Sequence, residues 1–297
     1  MKLVFLGTPE FAVPSLEAVA THVSAVFTQP DRPKGRGQEL AASPVKLAAG
    51  RLGIPVYQPE RVRRPEVVEQ IREMAPEAMV VVGYGQIIPQ SILDIPPMGI
   101  INVHASLLPK YRGAAPIQWA IARGETKTGV TTMRIDAGLD TGDMLLKAES
   151  EIGEEETAVE LSPRLAVMGA RLLAQTLEDL SRIKPQKQDN SQATYAPILK
   201  KEDGLIDWRM SARELANRIR GFQPWPGCYT FWRGKRLAIW KARAVTGFSK
   251  LGEIHGTCVG SGDGALELIE VQPEGKKRMS AEAFLNGHQV RDGEVLG

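Results

Sequence analysis

Cysteine is nearly missing from this chain of 297 residues, and the little present shows no chemical pattern. Cys228 and Cys258 stand 30 residues apart without Cys-x-x-Cys spacing, which rules out a disulfide framework and leaves two reduced, packed thiols as the expectation. Four scattered histidines supply no zinc-ligand spacing, and the acidic stretch from Asp136 through Asp140 to Asp143 lacks the ligand pattern of a calcium loop, so no metal is expected. Long apolar runs are missing too; none approaches the roughly 20 residues that span a bilayer, and no membrane association is expected. The opening Met1-Lys2-Leu3-Val4-Phe5-Leu6-Gly7-Thr8 runs straight into Pro9 and Glu10 without a small-residue cleavage site. It reads as a first core strand of a cytoplasmic protein. Gly7-Thr8-Pro9-Glu10-Phe11 occupies the place of a dinucleotide fingerprint but lacks Gly-x-Gly-x-x-Gly spacing, which argues against a nicotinamide cofactor. Internal repeats and low-complexity tracts are also absent.

What is present is an alternation of short apolar runs with helical patterns. Strands are expected at Leu3 to Leu6, Val23 to Phe27, Ile54 to Tyr57, Met79 to Val82, Ile100 to Val103 and Val130 to Ile135. Between them, Phe11 to Ala20, Val45 to Leu52 and Pro65 to Met74 carry helical periodicity, and Ala158 to Leu180 reads as a long closing helix. Met79 to Val82 has no polar interruption, as expected of a strand covered on both faces. The order predicts a doubly wound, Rossmann-like α/β domain with ligands at the carboxyl ends of its strands. Gly83-Tyr84-Gly85 follows one strand and reads either as a tight turn or as a backbone wall beside a ligand.

After about residue 205 the texture changes. Arg213 to Arg220 reads as a helix, followed by short strands at Tyr229 to Trp232, Leu237 to Trp240, Gly252 to Val259 and Leu266 to Val271. Arg233-Gly234 is the expected hairpin turn, and the spacing predicts a small β-barrel. Three segments are therefore expected: a domain over 1–188, a linker over 189–205 and a second domain over 206–297. The second carries 14 Lys and Arg against 10 Asp and Glu from Leu205 onward, a net +4, whereas the preceding residues carry 23 against 25. This asymmetry is compatible with phosphate contact.

The most chemical stretch is Ile101-Asn102-Val103-His104-Ala105-Ser106-Leu107-Leu108-Pro109, with Asp140 following 36 residues after the histidine. Side chains alternate along a strand, so Asn102 and His104 share one face and can address one atom together. A neutral amide donor, a group titrating near neutrality and a carboxylate suit a reaction at a carbonyl carbon. Asp136 and Asp143 read as loop or capping residues. The loop Asp31-Arg32-Pro33-Lys34-Gly35-Arg36-Gly37-Gln38 has three cations and no apolar anchor. As a bare pattern it is a solvated loop or an anion contact. Arg61, Arg63 and Arg64 read as a solvated face. Trp225, Trp232 and Trp240 read as core or domain-packing residues.

Several of these segments carry a resemblance. Asn102-Val103-His104, Ser106 to Pro109, Tyr111-Arg112-Gly113, Pro116-Ile117-Gln118 and Gly138-Leu139-Asp140-Thr141-Gly142 together resemble the signature of the 10-formyltetrahydrofolate-dependent formyltransferases. The resemblance extends from Gly7-Thr8-Pro9 through Thr28 to Pro33 and Ser43 to Lys46, and resumes at Pro224-Trp225-Pro226 and Gly275 to Ser280. Ala105 departs from a common glycine, and Lys110-Tyr111 from arginine and tryptophan. The resemblance implies a monomeric enzyme that takes formyl from 10-formyltetrahydrofolate and passes it to the α-amino group of methionyl initiator tRNA. It implies Asn102, His104 and Asp140 as catalytic residues, and Ser106, Leu107, Leu108 and Pro109 against the folate. It further implies an OB-like second domain and tRNA contact by Lys34 and Arg36, to which Lys276, Lys277 and Arg278 are added as basic candidates. A carboxylate nearby favours the imidazolium, so Asp140 could keep His104 charged against a developing oxyanion.

Overall fold

A computed structural model describes residues 1–34, 39–247 and 250–297. The chain divides into two compact units. The first comprises Met1–Gly113, Thr128–Ser150 and Ser162–Tyr195; the second comprises Ala114–Lys127, Glu151–Leu161 and Ala196–Gly297.

The first unit is built on a seven-stranded sheet. Its strands in chain order are β1 (Leu3–Gly7), β2 (Val23–Phe27), β3 (Val56–Tyr57), β4 (Ala78–Val82), β5 (Ile100–His104), β6 (Lys127–Arg134) and β7 (Met144–Glu151). Their spatial order is β7-β6-β5-β4-β1-β2-β3. Strands β1 to β5 pair in parallel. Every residue of β1, β4 and β5 is buried, which explains the unbroken apolar reading of β1 and β4. The chain winds outward from β1 to β3, then returns to β4 on the other side, so β1 and β4 flank the switch point of a doubly wound sheet.

Helices α1 (Val13–Val19), α2 (Pro44–Arg51) and α3 (Pro65–Glu73) follow the expected periodicity. Ser43 caps α2 by accepting from the Lys46 N–H, and α3 buries Val67, Val68 and Ile71. The long helix Ala158–Glu178 lies tightly on the sheet. A Cβ added at its Gly169 would stand 2.8 Å from Cγ1 of Val103, so that glycine sets the approach to β5. Strand β6 runs antiparallel to β5 and pairs Asn102 with Met133 and His104 with Thr131. The polar loop expected after β2 contains an antiparallel pair, Arg32–Lys34 against Glu39–Ala41.

The second unit holds β8 (Cys228–Trp232), β9 (Lys235–Val245), β10 (Ile254–His255), β11 (Cys258–Gly260), β12 (Ala265–Pro273) and β13 (Met279–Ser280). Their order is β8-β9-β12-β11-β10, with β13 on β12. The pairings among the described residues establish this antiparallel sheet but not its closure into a barrel. Arg233 and Gly234 both adopt positive φ, 47° and 73°, the requirement of a two-residue hairpin turn between β8 and β9. Helix Ala212–Gly221 begins with a reciprocal Ser211–Glu214 capping box. It packs Leu215 and Ile219 into a core with Trp208, Phe222, Trp232 and Phe284.

Of the three tryptophans expected to pack, Trp232 is buried, but Trp225 is 53% exposed. Its apolarity does not bring it inside because Pro224 and Pro226 fix the flanking backbone in the turn before β8. Trp240 is half-buried beneath Arg278, whose Cζ lies 3.3 Å from the ring centroid. Cys228 and Cys258 are free thiols, and burial pushes the first up to about 12. No helix among the described residues is long and apolar enough to cross a membrane.

Candidate active site

Strand β5 delivers Asn102 and His104, 9% and 5% exposed, from one face to its carboxyl end. Asp140 reaches them from the loop between β6 and β7. Its Oδ1 accepts from the Asn102 amide at 3.5 Å, and its Oδ2 stands 3.6 Å from His104 Nδ1. The Gly113 N–H donates to the same Oδ2 at 2.8 Å. Three residues chosen for their residue types and alternation are thus brought together in one unit.

The ring's hydrogen bonds settle which nitrogen carries the proton. His104 Nε2 lies 2.9 Å from the Tyr111 carbonyl oxygen, which can only accept, so Nε2 is protonated and donates. Nδ1 therefore faces Asp140 either as a lone pair able to take a proton or as the N–H of an imidazolium ion-paired to the carboxylate. That is an imidazole–carboxylate pair able to take up and share one proton, with the Tyr111 carbonyl behind the ring.

The loop that presents Asp140 is shaped by its own sequence. Asp136 Oδ1 accepts from the Gly138 N–H at 3.0 Å and from the Thr141 hydroxyl at 2.7 Å, so this aspartate closes the loop. Asp140 itself sits at φ 51°, a left-handed conformation that aspartate tolerates better than most residues. At Gly142 a Cβ would fall 1.9 Å from the Arg134 carbonyl oxygen, so only glycine lets the loop return to the sheet. Among the described residues no group of three His, Cys, Asp or Glu side chains could hold a metal ion.

The exit loop after His104 is more inward-facing than its sequence suggests. Ser106 is fully buried; its hydroxyl donates to the Lys110 carbonyl at 2.6 Å, while its own carbonyl accepts from Thr131 at 2.7 Å. Leu108 packs in a small cluster with Met133 and Met144, and Lys147 donates to its carbonyl at 2.5 Å. Burial lowers the pKa of that ammonium, and Glu149 opposes the shift. Leu107 and Pro109 are half-buried. The paired glycines Gly83 and Gly85 both take positive φ, 56° and 82°, and Tyr84 between them is packed in the core. That motif is a tight turn after β4.

Of the cationic candidates, Lys34 ends the short strand Arg32–Lys34, and Arg36 lies outside the described residues. Lys276, Lys277 and Arg278 are exposed in the second unit, as are Arg61, Arg63 and Arg64 in the first. Four participants escaped the sequence reading: the Gly113 N–H, the Tyr111 carbonyl, Arg112 and Gln188. Gln188 Nε2 donates to the carbonyls of Asp140 and Gly142, both at 2.8 Å. Tyr111-Arg112-Gly113 was visible as a motif, but backbone groups leave no side-chain signal, and Gln188 is the last residue before the expected linker, in a polar stretch with no other mark.

Comparison with known proteins concerns the chain as a whole. The chain is 64% identical to the methionyl-tRNA formyltransferase of Solibacter usitatus over 100% of its own length and 99% of that protein's. It is 58% identical to the methionyl-tRNA formyltransferase of Koribacter versatilis over the same shares. Among solved structures, a Helicobacter canadensis N-formyltransferase in complex with folinic acid and dTDP-3-aminofucose superposes with a TM-score of 0.66. That superposition covers 94% of this chain and 100% of the other at 20% identity, and shows the fold. The model of the family described as formyl transferase matches residues 1–177 and that of its C-terminal domain matches residues 198–289, so the chain belongs to the formyl transferase family.

Proposed function

We propose that this protein transfers the formyl group of 10-formyltetrahydrofolate to the α-amino group of methionyl initiator tRNA, giving formylmethionyl-tRNA for translation initiation. The observation that carries the reading is the cluster of buried Asn102 and His104 with half-buried Asp140 at the carboxyl end of β5, in a chain so similar over its full length to methionyl-tRNA formyltransferases. The formyl donor supplies an activated carbonyl carbon. The amine nitrogen bonds to it, the carbonyl electrons move onto oxygen, and collapse breaks the bond to the folate nitrogen.

Asn102 offers an amide N–H to the developing oxyanion, a type of contact typically worth about 3 kcal/mol. The ammonium first gives one proton to solvent; as the new C–N bond forms, the unprotonated Nδ1 of His104 takes the second, and Asp140 stabilises the resulting imidazolium. The proton then passes to the departing folate nitrogen. An amide, an imidazole and a carboxylate within one cluster fit this donor, because each charge that appears has a partner in place.

Further assignments belong to the same proposal. Residues 1–188 form the catalytic domain, 189–205 the linker and 206–297 an OB-like tRNA-binding domain. Ser106, Leu107, Leu108 and Pro109 form the wall against the folate. Lys34 and Arg36 meet the acceptor end of the tRNA, and Lys276, Lys277 and Arg278 meet its backbone, as monomer and in the cytoplasm. The test is to incubate the purified protein with 10-formyltetrahydrofolate and methionyl initiator tRNA and to measure formylmethionine on the tRNA. His104→Ala should lower kcat on the order of 100-fold. Release of formate without formylmethionine, or an undiminished rate in the variant, would overturn the reading.

A further inference from the structure

Asp140 is held through its backbone as well as through its carboxylate. The carboxylate meets Asn102 and His104 at 3.5 and 3.6 Å, both long, and has one short partner, the Gly113 N–H at 2.8 Å. Two more short contacts lie behind it. The Gln188 amide nitrogen has two hydrogens, and it faces two carbonyl oxygens, those of Asp140 and Gly142, each at 2.8 Å. Gln188 Oε1 accepts from Arg112 Nε at 3.0 Å and Nη2 at 2.8 Å. Flipping the amide would set its oxygen against two carbonyls and its NH2 against a guanidinium, so the orientation is fixed by chemistry.

Arg112 is 3% exposed, and its guanidinium reaches a further neutral oxygen, Asn190 Oδ1, at 2.9 Å. A buried cation on the oxygen side of an amide polarises it and strengthens the N–H donors on the other side. The same stretch of chain also governs the other end of His104. Thr194 Oγ1 accepts from the Tyr111 N–H at 2.9 Å, and the Thr194 carbonyl accepts from the Arg112 N–H at 2.9 Å. The Tyr111 carbonyl is the acceptor that fixes His104 Nε2. Gln186 completes the strap by exchanging two backbone hydrogen bonds with Met144, each 2.8 Å.

We infer that Gln188, braced by Arg112, is a positioning residue: it sets where the Asp140 carboxylate stands relative to His104 Nδ1. The inference rests on the proposed catalytic roles of Asp140 and His104. Gln188→Met keeps the side-chain length, adds no charge and removes both donors. A carboxylate misplaced by about 1 Å is enough to cost up to about 100-fold in rate. The inference therefore expects Q188M to lower kcat roughly 10- to 100-fold with KM for both substrates within about twofold of the parent.

The discriminating measurement is a double-mutant cycle. If Gln188 acts through Asp140, Q188M should cost little further once Asp140→Asn is present. The nitrogen resonance of His104 Nδ1 should move in Q188M as it does in D140N. Gln188→Glu, which keeps the oxygen end on Arg112, serves where Q188M folds poorly. Equal losses from Q188M in both backgrounds, or an unmoved His104 resonance, would overturn the positioning role. Should the parent protein fail to formylate methionyl-tRNA while the resonance still moves, the positioning stands and the substrate reading falls.

Discussion

Glu294 shows how much one side chain can carry at the surface of the second unit. Its two oxygens accept from Trp232 Nε1 at 3.0 Å, Arg233 Nε at 3.0 Å, Arg233 Nη2 at 2.7 Å and the Arg291 N–H at 2.8 Å. The Arg233 hydrogen bond, then the Arg291 N–H and the Trp232 indole, hold the carboxyl down to about 2 from an ordinary 4.5, against a desolvation effect of opposite sign. A depressed carboxyl contributes stability that is fully present above the unfolded value and is lost as pH falls towards the folded one. Glu294→Gln should therefore lower the Tm at pH 7, and the gap to the parent should close between about pH 4.5 and 2 in thermal scans. At this scale the sequence was legible where chemistry is concentrated: Asn102, His104 and Asp140 were readable from residue type, alternation and a recognisable motif. Gln188 was not, because a polar residue among Lys184, Lys187 and Asp189 gives no hint that both ends of its amide are engaged.

Strands were legible in proportion to their burial. Val23–Phe27 was expected with the bounds it has, and β1 and β4 differ from expectation only at their ends. Strand β7, Met144–Glu151, was missed because only one face is consistently covered and its second half reads Lys147, Ala148, Glu149, Ser150, Glu151. The helix Ala281–His288 was missed for a different reason. It is short, with Asn286 and Gly287 near its end, and its start signal is one serine, Ser280, accepting from the Ala283 N–H. The loop between β6 and β7 makes a prediction of its own. In Gly142→Ala the new methyl would meet the Arg134 carbonyl oxygen, a backbone atom that cannot step aside, so the loop must move and take Asp140 with it. The variant should lose both kcat and denaturant stability, measured by formylation assay and urea unfolding. A loss of neither would show that the loop's return to the sheet does not place the carboxylate.

On the scale of the molecule, the second unit is discontinuous in sequence. Trp119, on the helix Pro116–Ala122, meets Phe222 edge-on at 5.2 Å. A Cβ on Gly221 would lie 2.8 Å from the Gln118 carbonyl oxygen, and Arg220 donates to the carbonyls of Gly153 and Glu156 at 3.1 and 3.0 Å. Deleting the chain from Ile206 onward thus does more than remove a nucleic-acid contact. It strips residues 114–127 and 151–161 of the partners that bury them within their own unit. Losing several kcal/mol at about 2–4 °C per kcal/mol predicts a Tm lower by roughly 10 °C, checked by calorimetry. An unchanged Tm would mean the early segments fold without their later partners. None of this was legible in the sequence, where hydrophobic periodicity marks elements but not which distant element each one meets.

The discontinuity also has a meaning in time. A ribosome delivers residues 114–127 and 151–161 well before the stretch 196–297 that completes their unit. At about 5–20 residues per second, roughly 5–20 s of synthesis separate the first apolar surface from its cover. During that interval Trp119 and its neighbours lack the residues that later cover them, an exposure that favours aggregation during synthesis.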